Sequence, residues 1–139
     1  MIGSHMTSTK SKTLPLHSCE DIVQVRQTTR SLMMERRFSL VEQTKMMTAA
    51  SELARNAVVY GGGGDARLEL LEESGRVGIR VLIEDHGPGI ADIRQAMTDG
   101  FTSGQGMGLG LGGAKRLVDE FEICSEPGKG TRVSITRWK

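Results

Sequence analysis

Two glycine-rich segments of this chain have residue types that suit nucleotide binding. The first is Asp85-His86-Gly87-Pro88-Gly89, and the second runs from Gly104 to Gly113 with glycine at nearly every second position. Glycine lets backbone approach a ligand closely and adopt positive φ, so that amide N–H groups can bind phosphate oxygens. A flexible linker is the alternative for the second segment. Together the two segments suggest an adenine-nucleotide pocket.

Glu52 and Asn56 could supply the catalytic chemistry. They are four residues apart, so a helix would place both side chains on one face. A carboxylate can act as a general base, and a carboxamide oxygen suits Mg²⁺. Solvated surface side chains are the alternative for such a pair.

Helices that would position these groups are predicted from apolar spacing. The ranges are 21–37, 39–60, 90–97 and 114–121, the last from the spacing of Ala114, Leu117, Val118 and Phe121. Ser39 and Glu42 form a capping box at the start of the second helix. The glycine loop occupies 101–111 and leads into the last helix, whose N-terminus would favour an anion.

Strands are predicted mostly in antiparallel pairs. An edge strand at 13–17 precedes two hairpins, which join 66–71 to 77–83 and 122–125 to 131–138. Early helices followed by such pairs predict an α+β fold, a two-layer α/β sandwich. The segment Gly61 to Gly64 is either a mobile loop or a turn beside the ligand.

Composition limits the function classes. The chain has 139 residues, enough for one domain, and a net charge of +1, which gives no support for binding nucleic acid or an acidic membrane. Cys19 and Cys124 lack metal-type spacing and are expected to be reduced thiols in a cytoplasmic protein. Gly3-Ser4-His5-Met6 resembles an expression-vector scar, so residues 1–12 are expected to be a tag remnant and disordered N-terminus. Residues 13–139 then form a single domain.

Four motifs occur in a recognisable order: Glu52-Leu53-Ala54-Arg55-Asn56, Asp85-His86-Gly87-Pro88-Gly89-Ile90, Gly106-Met107-Gly108-Leu109-Gly110-Leu111 and Gly130-Thr131. This series resembles that of the ATPase family shared by gyrase, Hsp90, histidine kinases and MutL. The resemblance covers residues 13–139. It implies the Bergerat fold, in which a mixed, mostly antiparallel sheet is covered by helices on one face and ATP lies between the helices and the glycine loop.

Within that family the chain resembles the RsbT-type switch-protein serine/threonine kinases of the anti-sigma factor kinase group. Further stretches carry this likeness: Asp92-Ile93-Arg94, Asp99-Gly100-Phe101 and residues 115–121. The resemblance implies that Glu52 is the general base, that Asn56 is the Mg²⁺ ligand and that Asp85 reads the adenine amino group.

The remaining nucleotide contacts also come from the resemblance. Gly87 and Gly89 would form the turn beneath the base, and the Thr131 hydroxyl would support adenine recognition. The phosphate cradle would lie in the glycine loop, at Gly104, Gly106, Met107, Gly108, Leu109 and Gly110.

The glycine loop departs from the pattern of some related anti-sigma kinases. Those kinases place an arginine there against the terminal phosphate, whereas this chain has no Arg or Lys between Phe101 and Gly110. Arg55 and Lys115 are the nearest candidates to replace it. An ordinary solvated charge is the alternative for each.

The resemblance implies an ATP- and Mg²⁺-dependent protein serine/threonine kinase whose substrate is a STAS-type antagonist protein in a partner-switching stress or sigma-factor pathway. A nucleotide-gated binding module that sequesters a sigma factor or activates a phosphatase is the alternative. A sensor histidine kinase catalytic domain is less well supported, because the sequence has no dimerisation helix pair with a phosphoacceptor histidine. Its histidines are His5, His17 and His86.

Overall fold

A computed structural model of the protein describes residues 6–90, 97 and 110–139. Its elements in chain order are β1 Met6–Leu16, α1 Cys19–Glu35, α2 Leu40–Val59, β2 Gly64–Glu73, β3 Arg76–Asp85, α3 Gly110–Arg116, β4 Glu120–Glu126 and β5 Gly130–Trp138. The described strands form one sheet in the order β1-β2-β3-β5-β4. The predicted α+β fold is confirmed.

The N-termini of the two long helices are fixed by local hydrogen bonds. Ser18 caps α1 by accepting from the Asp21 amide. At the start of α2 the predicted capping box is present: the Ser39 hydroxyl accepts from the Glu42 amide at 3.1 Å, and the Glu42 carboxylate accepts from the Ser39 amide at 2.8 Å. Because two unpaired donors are satisfied at once, this cap determines where α2 begins.

The hydrophobic core lies between the helices and one face of the sheet. Alternate residues of each strand point toward α1 and α2, because successive side chains of a strand alternate between its faces. The core includes Leu32, Met33, Met46 and Leu53 from the helices and Leu68, Ile79, Val81 and Ile135 from the strands. Asp85 shares this face with Ile83, so the end of β3 brings a carboxylate to the helix layer.

Two expectations about the elements need correction, and a third is not tested. The edge strand begins at Met6, where it pairs with Glu73, so residues 6–12 are ordered as strand and not disordered. The described strand pairs are all antiparallel, so the mixed sheet expected from the family is not seen among them. The predicted helix over residues 90–97 falls mostly outside the described residues.

The last predicted helix is wrong at both ends. It begins at Gly110 and ends at Arg116, so Gly110 and Leu111 are helical and Phe121 belongs to β4. After Arg116 the amides of Leu117 and Val118 each donate to the carbonyl three residues earlier in the chain. The Asp119 amide then donates to the Thr136 carbonyl at 2.9 Å, which starts the pairing with β5. Pairing with β5 therefore overrides the helical spacing, and Phe121 packs against the core from the sheet.

The other face of the sheet carries no described helix and is polar. A shallow groove of about 580 Å³ lies on it, lined largely by charged residues, which are Arg67, Glu69, Arg80, Glu122 and Arg132. Glu69 is buried beneath two arginines, with Arg80 at 2.8 Å and Arg67 at 3.5 Å. Burial raises the pKa of the Glu69 carboxyl, but the hydrogen bond and charge of Arg80, aided by Ser8 and Arg67, hold it below the usual value.

Glu69→Gln is expected to lower the free energy of unfolding at pH 7 by about 1–3 kcal/mol, because Arg80 loses a charge-assisted partner. A depressed carboxyl pKa stabilises the fold above the ordinary glutamate value of 4.5 and loses that effect as pH falls through the folded-state value. Urea unfolding of the parental protein and Glu69→Gln between pH 7 and pH 3 would measure this. The two free energies of unfolding should converge as the pH falls.

Glu72→Gln in the same strand is the matched control for this prediction. Glu72 pairs with Arg36 at the surface, where both side chains are substantially exposed. We expect a change below about 1 kcal/mol at any pH. A Glu69→Gln effect that did not vary with pH would contradict the electrostatic explanation.

Candidate functional site

Asp85 is held at the end of β3 by backbone donors from two segments. Its Oδ1 atom accepts from the Gly87 amide at 3.0 Å and from the Thr131 amide at 3.2 Å. The residue is only 9% exposed. Two N–H donors on one oxygen fix the carboxylate plane, which leaves Oδ2 to accept from another donor.

The turn after Asp85 packs on the hairpin between β4 and β5. The Gly128 amide donates to the Pro88 carbonyl at 2.7 Å, and the Ile90 amide donates to the Ser125 hydroxyl at 2.7 Å. Gly89 has φ +76° and lies directly against the Glu126 carbonyl, where a Cβ atom would collide. Glycine is therefore required at position 89 by both its backbone angle and its close contact.

The Gly61 to Gly64 segment packs against this motif. A Cβ atom at position 61 would collide with the Asp85 carboxylate, and one at position 87 would collide with the Gly61 backbone. The Gly61 amide also binds the Asn56 carbonyl at 3.1 Å. The segment is thus a tight turn that presses the end of α2 against Asp85.

Helix α2 contacts both glycine-rich segments. Near its C-terminus the Asn56 backbone carbonyl accepts from the Gly61 amide, next to the Asp85 motif, and one turn earlier the Glu52 carboxylate accepts from the Gly110 amide at 3.3 Å. Glu52 is only 8% exposed. Carboxylates are seldom buried without a partner, and the Gly110 amide is one here. The simple solvated-surface alternative for Glu52 is therefore not supported.

The described site residues thus lie on α2 and on the elements that pack beside it. Glu52, Asn56, Asp85, Gly87, Gly89, Gly110 and Thr131 lie on α2, at the ends of β3 and β5, and at the start of α3. Lys115 is exposed and Arg55 is half-buried, so a phosphate contact for either stays a prediction. Gly104, Gly106, Met107, Gly108 and Leu109 lie outside the described residues.

The donor set of the site fits an adenine nucleotide and one hard cation. Within the described ranges no group donates to Asp85 Oδ2, so this atom can accept from an exocyclic amine, and Asn56, one helical turn from Glu52, carries a carboxamide oxygen. Among the residues in the described ranges, no cluster of three or more His, Cys, Asp or Glu could hold a metal. A cation here would need Asn56 together with oxygens from the nucleotide.

Sequence reasoning missed Ser125, and although it left open a turn beside the ligand at Gly61 to Gly64, it did not connect Gly61 with Asp85. Ser125 joins the Ile90 amide to the Gly130 carbonyl and the Thr131 hydroxyl. Gly61 shapes the space beside Asp85. Ser125 lies 35 residues from Ile90 and Gly61 lies 24 residues from Asp85, so no local pattern predicts these contacts.

None of the helices in the described part of the chain is long and apolar enough to cross a membrane.

The Gly61 contact gives a direct test of this geometry. Gly61→Ala should weaken ATP binding by roughly tenfold or more, because the added methyl displaces the Asp85 carboxylate and misplaced groups lose affinity steeply. Isothermal titration calorimetry with Mg²⁺ and ATP would measure the change. Circular dichroism would verify that the variant is folded.

Gly62→Ala is the matched control in the same turn. A Cβ atom there meets nothing within 4 Å, but φ is +72°, so alanine adds backbone strain without touching Asp85. We expect a small loss of thermal stability with ATP affinity retained. Equal losses of ATP affinity in the two variants would show that loop strain, and not the Asp85 contact, matters.

Sequence comparisons match the chain to a family and to known proteins. Residues 41–139 match the family described as histidine kinase-, DNA gyrase B-, and HSP90-like ATPase. The chain is 45% identical over 118 residues to serine/threonine-protein kinase RsbT of Bacillus subtilis, which covers 85% of this chain and 89% of the relative. It is 31% identical over 104 residues to the anti-sigma F factor of Clostridium novyi, which covers 71% of this chain and 73% of that one.

A solved structure supports the fold alone. The crystal structure of the RsbU and RsbW domains of a Mycobacterium tuberculosis protein matches 94% of this chain with a TM-score of 0.64 and 22% identity. The match covers 33% of that chain, so this chain spans about a third of its length. The two-layer arrangement of helices and sheet is thus found in a solved relative.

Proposed function

Because this chain belongs to the histidine kinase-, DNA gyrase B- and HSP90-like ATPase family, we propose that it is an ATP- and Mg²⁺-dependent protein serine/threonine kinase. The observation that carries the proposal is the position of α2, which brings the Glu52 carboxylate to the Gly110 amide and packs the end of the helix, through Gly61, against Asp85. The proposed adenine-binding residue Asp85 and the proposed base Glu52 are therefore both positioned by helix α2.

Asp85 is proposed to recognise the adenine amino group. Its Oδ1 is already occupied by two backbone amides, so Oδ2 can accept from the base without reorganisation of the carboxylate. Gly87 and Gly89 let the turn that would lie beneath the base pack closely on Gly61 and Glu126, which holds Asp85 in place. A charge-assisted hydrogen bond of this kind is roughly twice as strong as a neutral one.

Glu52 is proposed as the general base. The hydroxyl of a protein substrate attacks the γ-phosphorus of ATP, its proton passes to Glu52, and the bond from the γ-phosphorus to the β-phosphate bridging oxygen breaks to release ADP. Phosphoryl transfer relies mainly on positioning and charge neutralisation. Mg²⁺ would supply part of that neutralisation, with Asn56 as the protein residue that holds it.

We propose a STAS-type antagonist protein as the substrate, within a partner-switching pathway. The likeness to RsbT supports the kinase, and the likeness to the anti-sigma F factors supports a role in binding a regulator. A second candidate function is therefore a nucleotide-gated binding module that sequesters a sigma factor or activates a phosphatase. The 31% identity to an anti-sigma factor favours it.

Transfer of labelled γ-phosphate would separate these functions. The protein is incubated with Mg²⁺, γ-labelled ATP and a STAS-domain protein from the same organism, and the label is followed on the STAS protein. A serine or threonine phosphoester that survives acid treatment supports the kinase. Nucleotide-dependent binding of the STAS protein without any transfer of label would favour the binding module.

A further inference from the structure

Ser125, at the end of β4, occupies a junction beside the proposed adenine site. Its hydroxyl accepts from the Ile90 amide at 2.7 Å and donates to the Gly130 carbonyl at 3.0 Å. The same oxygen lies 2.8 Å from the Thr131 hydroxyl, where either group could be the donor. The Ser125 hydroxyl thus has three polar neighbours, and its single proton can go to either the Gly130 carbonyl or the Thr131 hydroxyl.

Counting protons assigns the direction of the Ser125–Thr131 hydrogen bond. A serine hydroxyl has one proton and two acceptor positions. If that proton goes to the Gly130 carbonyl, the lone pairs accept from the Ile90 amide and the Thr131 hydroxyl, and the three contacts are all satisfied. If it goes to Thr131 instead, the half-buried Gly130 contact is lost, which costs free energy.

This direction leaves Thr131 as an acceptor toward the nucleotide. Its only hydroxyl proton is used on Ser125, and the residues in the described ranges offer that hydroxyl no second hydrogen bond. Thr131 pairs with Asp85 in the β3–β5 register and donates its amide to Asp85 Oδ1. Two acceptors, the Thr131 hydroxyl and Asp85 Oδ2, therefore belong to directly paired residues on neighbouring strands.

We propose that Ser125 is a specificity-determining residue that fixes the Thr131 hydroxyl as an acceptor and so favours a 6-amino purine over a 6-oxo purine. The proposal rests on the nucleotide site described above. An exocyclic amine can donate to both acceptors, whereas a 6-oxo group, itself an acceptor, would face two acceptors and find no donor. Ser125 itself contacts no nucleotide and acts through Thr131.

The test compares ATP with inosine triphosphate, which has a 6-oxo group in place of the amine. Calorimetry with Mg²⁺ would give both affinities for the parental protein, Ser125→Ala and Ser125→Thr. Without Ser125 the Thr131 proton can turn toward a 6-oxo group, so the preference for ATP should fall roughly three- to tenfold in Ser125→Ala. Ser125→Thr keeps a hydroxyl and should retain the parental preference.

A purely structural role predicts a different result. Loss of the Ile90 and Gly130 contacts would loosen the hairpin and weaken both nucleotides equally, with the ratio of affinities unchanged. Thr131→Val supplies the second control, since it removes the hydroxyl on which Ser125 acts. Ser125→Ala should then cause no further change in the ratio when combined with Thr131→Val.

The outcomes separate the inference from the proposed function. An unchanged ratio in Ser125→Ala, or equal and additive effects of Ser125→Ala and Thr131→Val, would overturn the role of Ser125 while leaving the kinase proposal in place. Failure of the parental protein to bind ATP would instead overturn the nucleotide site, and the inference with it. A reduced ratio that Ser125→Thr restores supports the proposal.

Discussion

The Asp85→Asn variant is expected to bind ATP roughly ten- to a hundredfold more weakly than the parental protein. Loss of a charge-assisted hydrogen bond of about 1.5–3 kcal/mol corresponds to that range. The local geometry favours the upper end. If the asparagine oxygen keeps the Gly87 and Thr131 amides, the amide nitrogen takes the Oδ2 position and presents donors to the adenine amine.

Calorimetry with ATP and Mg²⁺ would measure the loss, and Asp119→Asn is its matched control. The Asp119 carboxylate accepts from the Trp138 amide at 2.7 Å, at the opposite end of β5 from Thr131. We expect Asp119→Asn to leave ATP affinity unchanged. Parental affinity in a folded Asp85→Asn protein would mean that Asp85 does not read the base.

Elements governed by local chemistry could be predicted from the sequence. The start of α2 follows from Ser39 and Glu42, because a capping box needs only residues three positions apart. The hairpin of β2 and β3 follows from alternating apolar residues on both sides of Ser74 and Gly75.

Elements governed by distant contacts could not be predicted. Phe121 fits a helical series with Ala114, Leu117 and Val118, yet it also alternates with Ile123 as a strand residue would. Only the hydrogen bonds to β5 decide between these two periods. Residues 6–12 look like an unstructured terminus, and their order comes from pairing along the whole of β2.

The candidate site divides in the same way. The family resemblance singled out Glu52, Asn56, Asp85 and Thr131 as candidates, and the structure places these residues along α2 and at the adjoining strand ends. Ser125 belongs to no motif, and the glycine run that begins at Gly61 does not by itself point to Asp85. Their contacts with Asp85 and Ile90 arise only when the end of α2 and the β4–β5 hairpin pack on the turn after β3.

Glu52→Gln is expected to reduce phosphotransfer to a STAS protein by about 10²–10⁴-fold, the usual contribution of a general base. Glutamine is nearly isosteric with glutamate, and its oxygen can still accept from the Gly110 amide, so the start of α3 should stay in place. ATP affinity should therefore change by less than about threefold, because a neutral acceptor replaces a charged one outside the base-binding site. Single-turnover transfer of labelled γ-phosphate and calorimetry would measure the two quantities.

Two further variants show whether Glu52 acts on the chemistry or on the structure. Glu52→Ala also removes the acceptor for the Gly110 amide, so any extra loss of ATP affinity relative to Glu52→Gln reports on that contact. Asn56→Ala, one turn away, should instead weaken ATP binding in the presence of Mg²⁺ and have little effect without it, because a cation ligand is lost. If Glu52→Gln transfers phosphate at the parental rate, Glu52 is not the base, and the nucleotide-gated binding module becomes the better account of what the protein does.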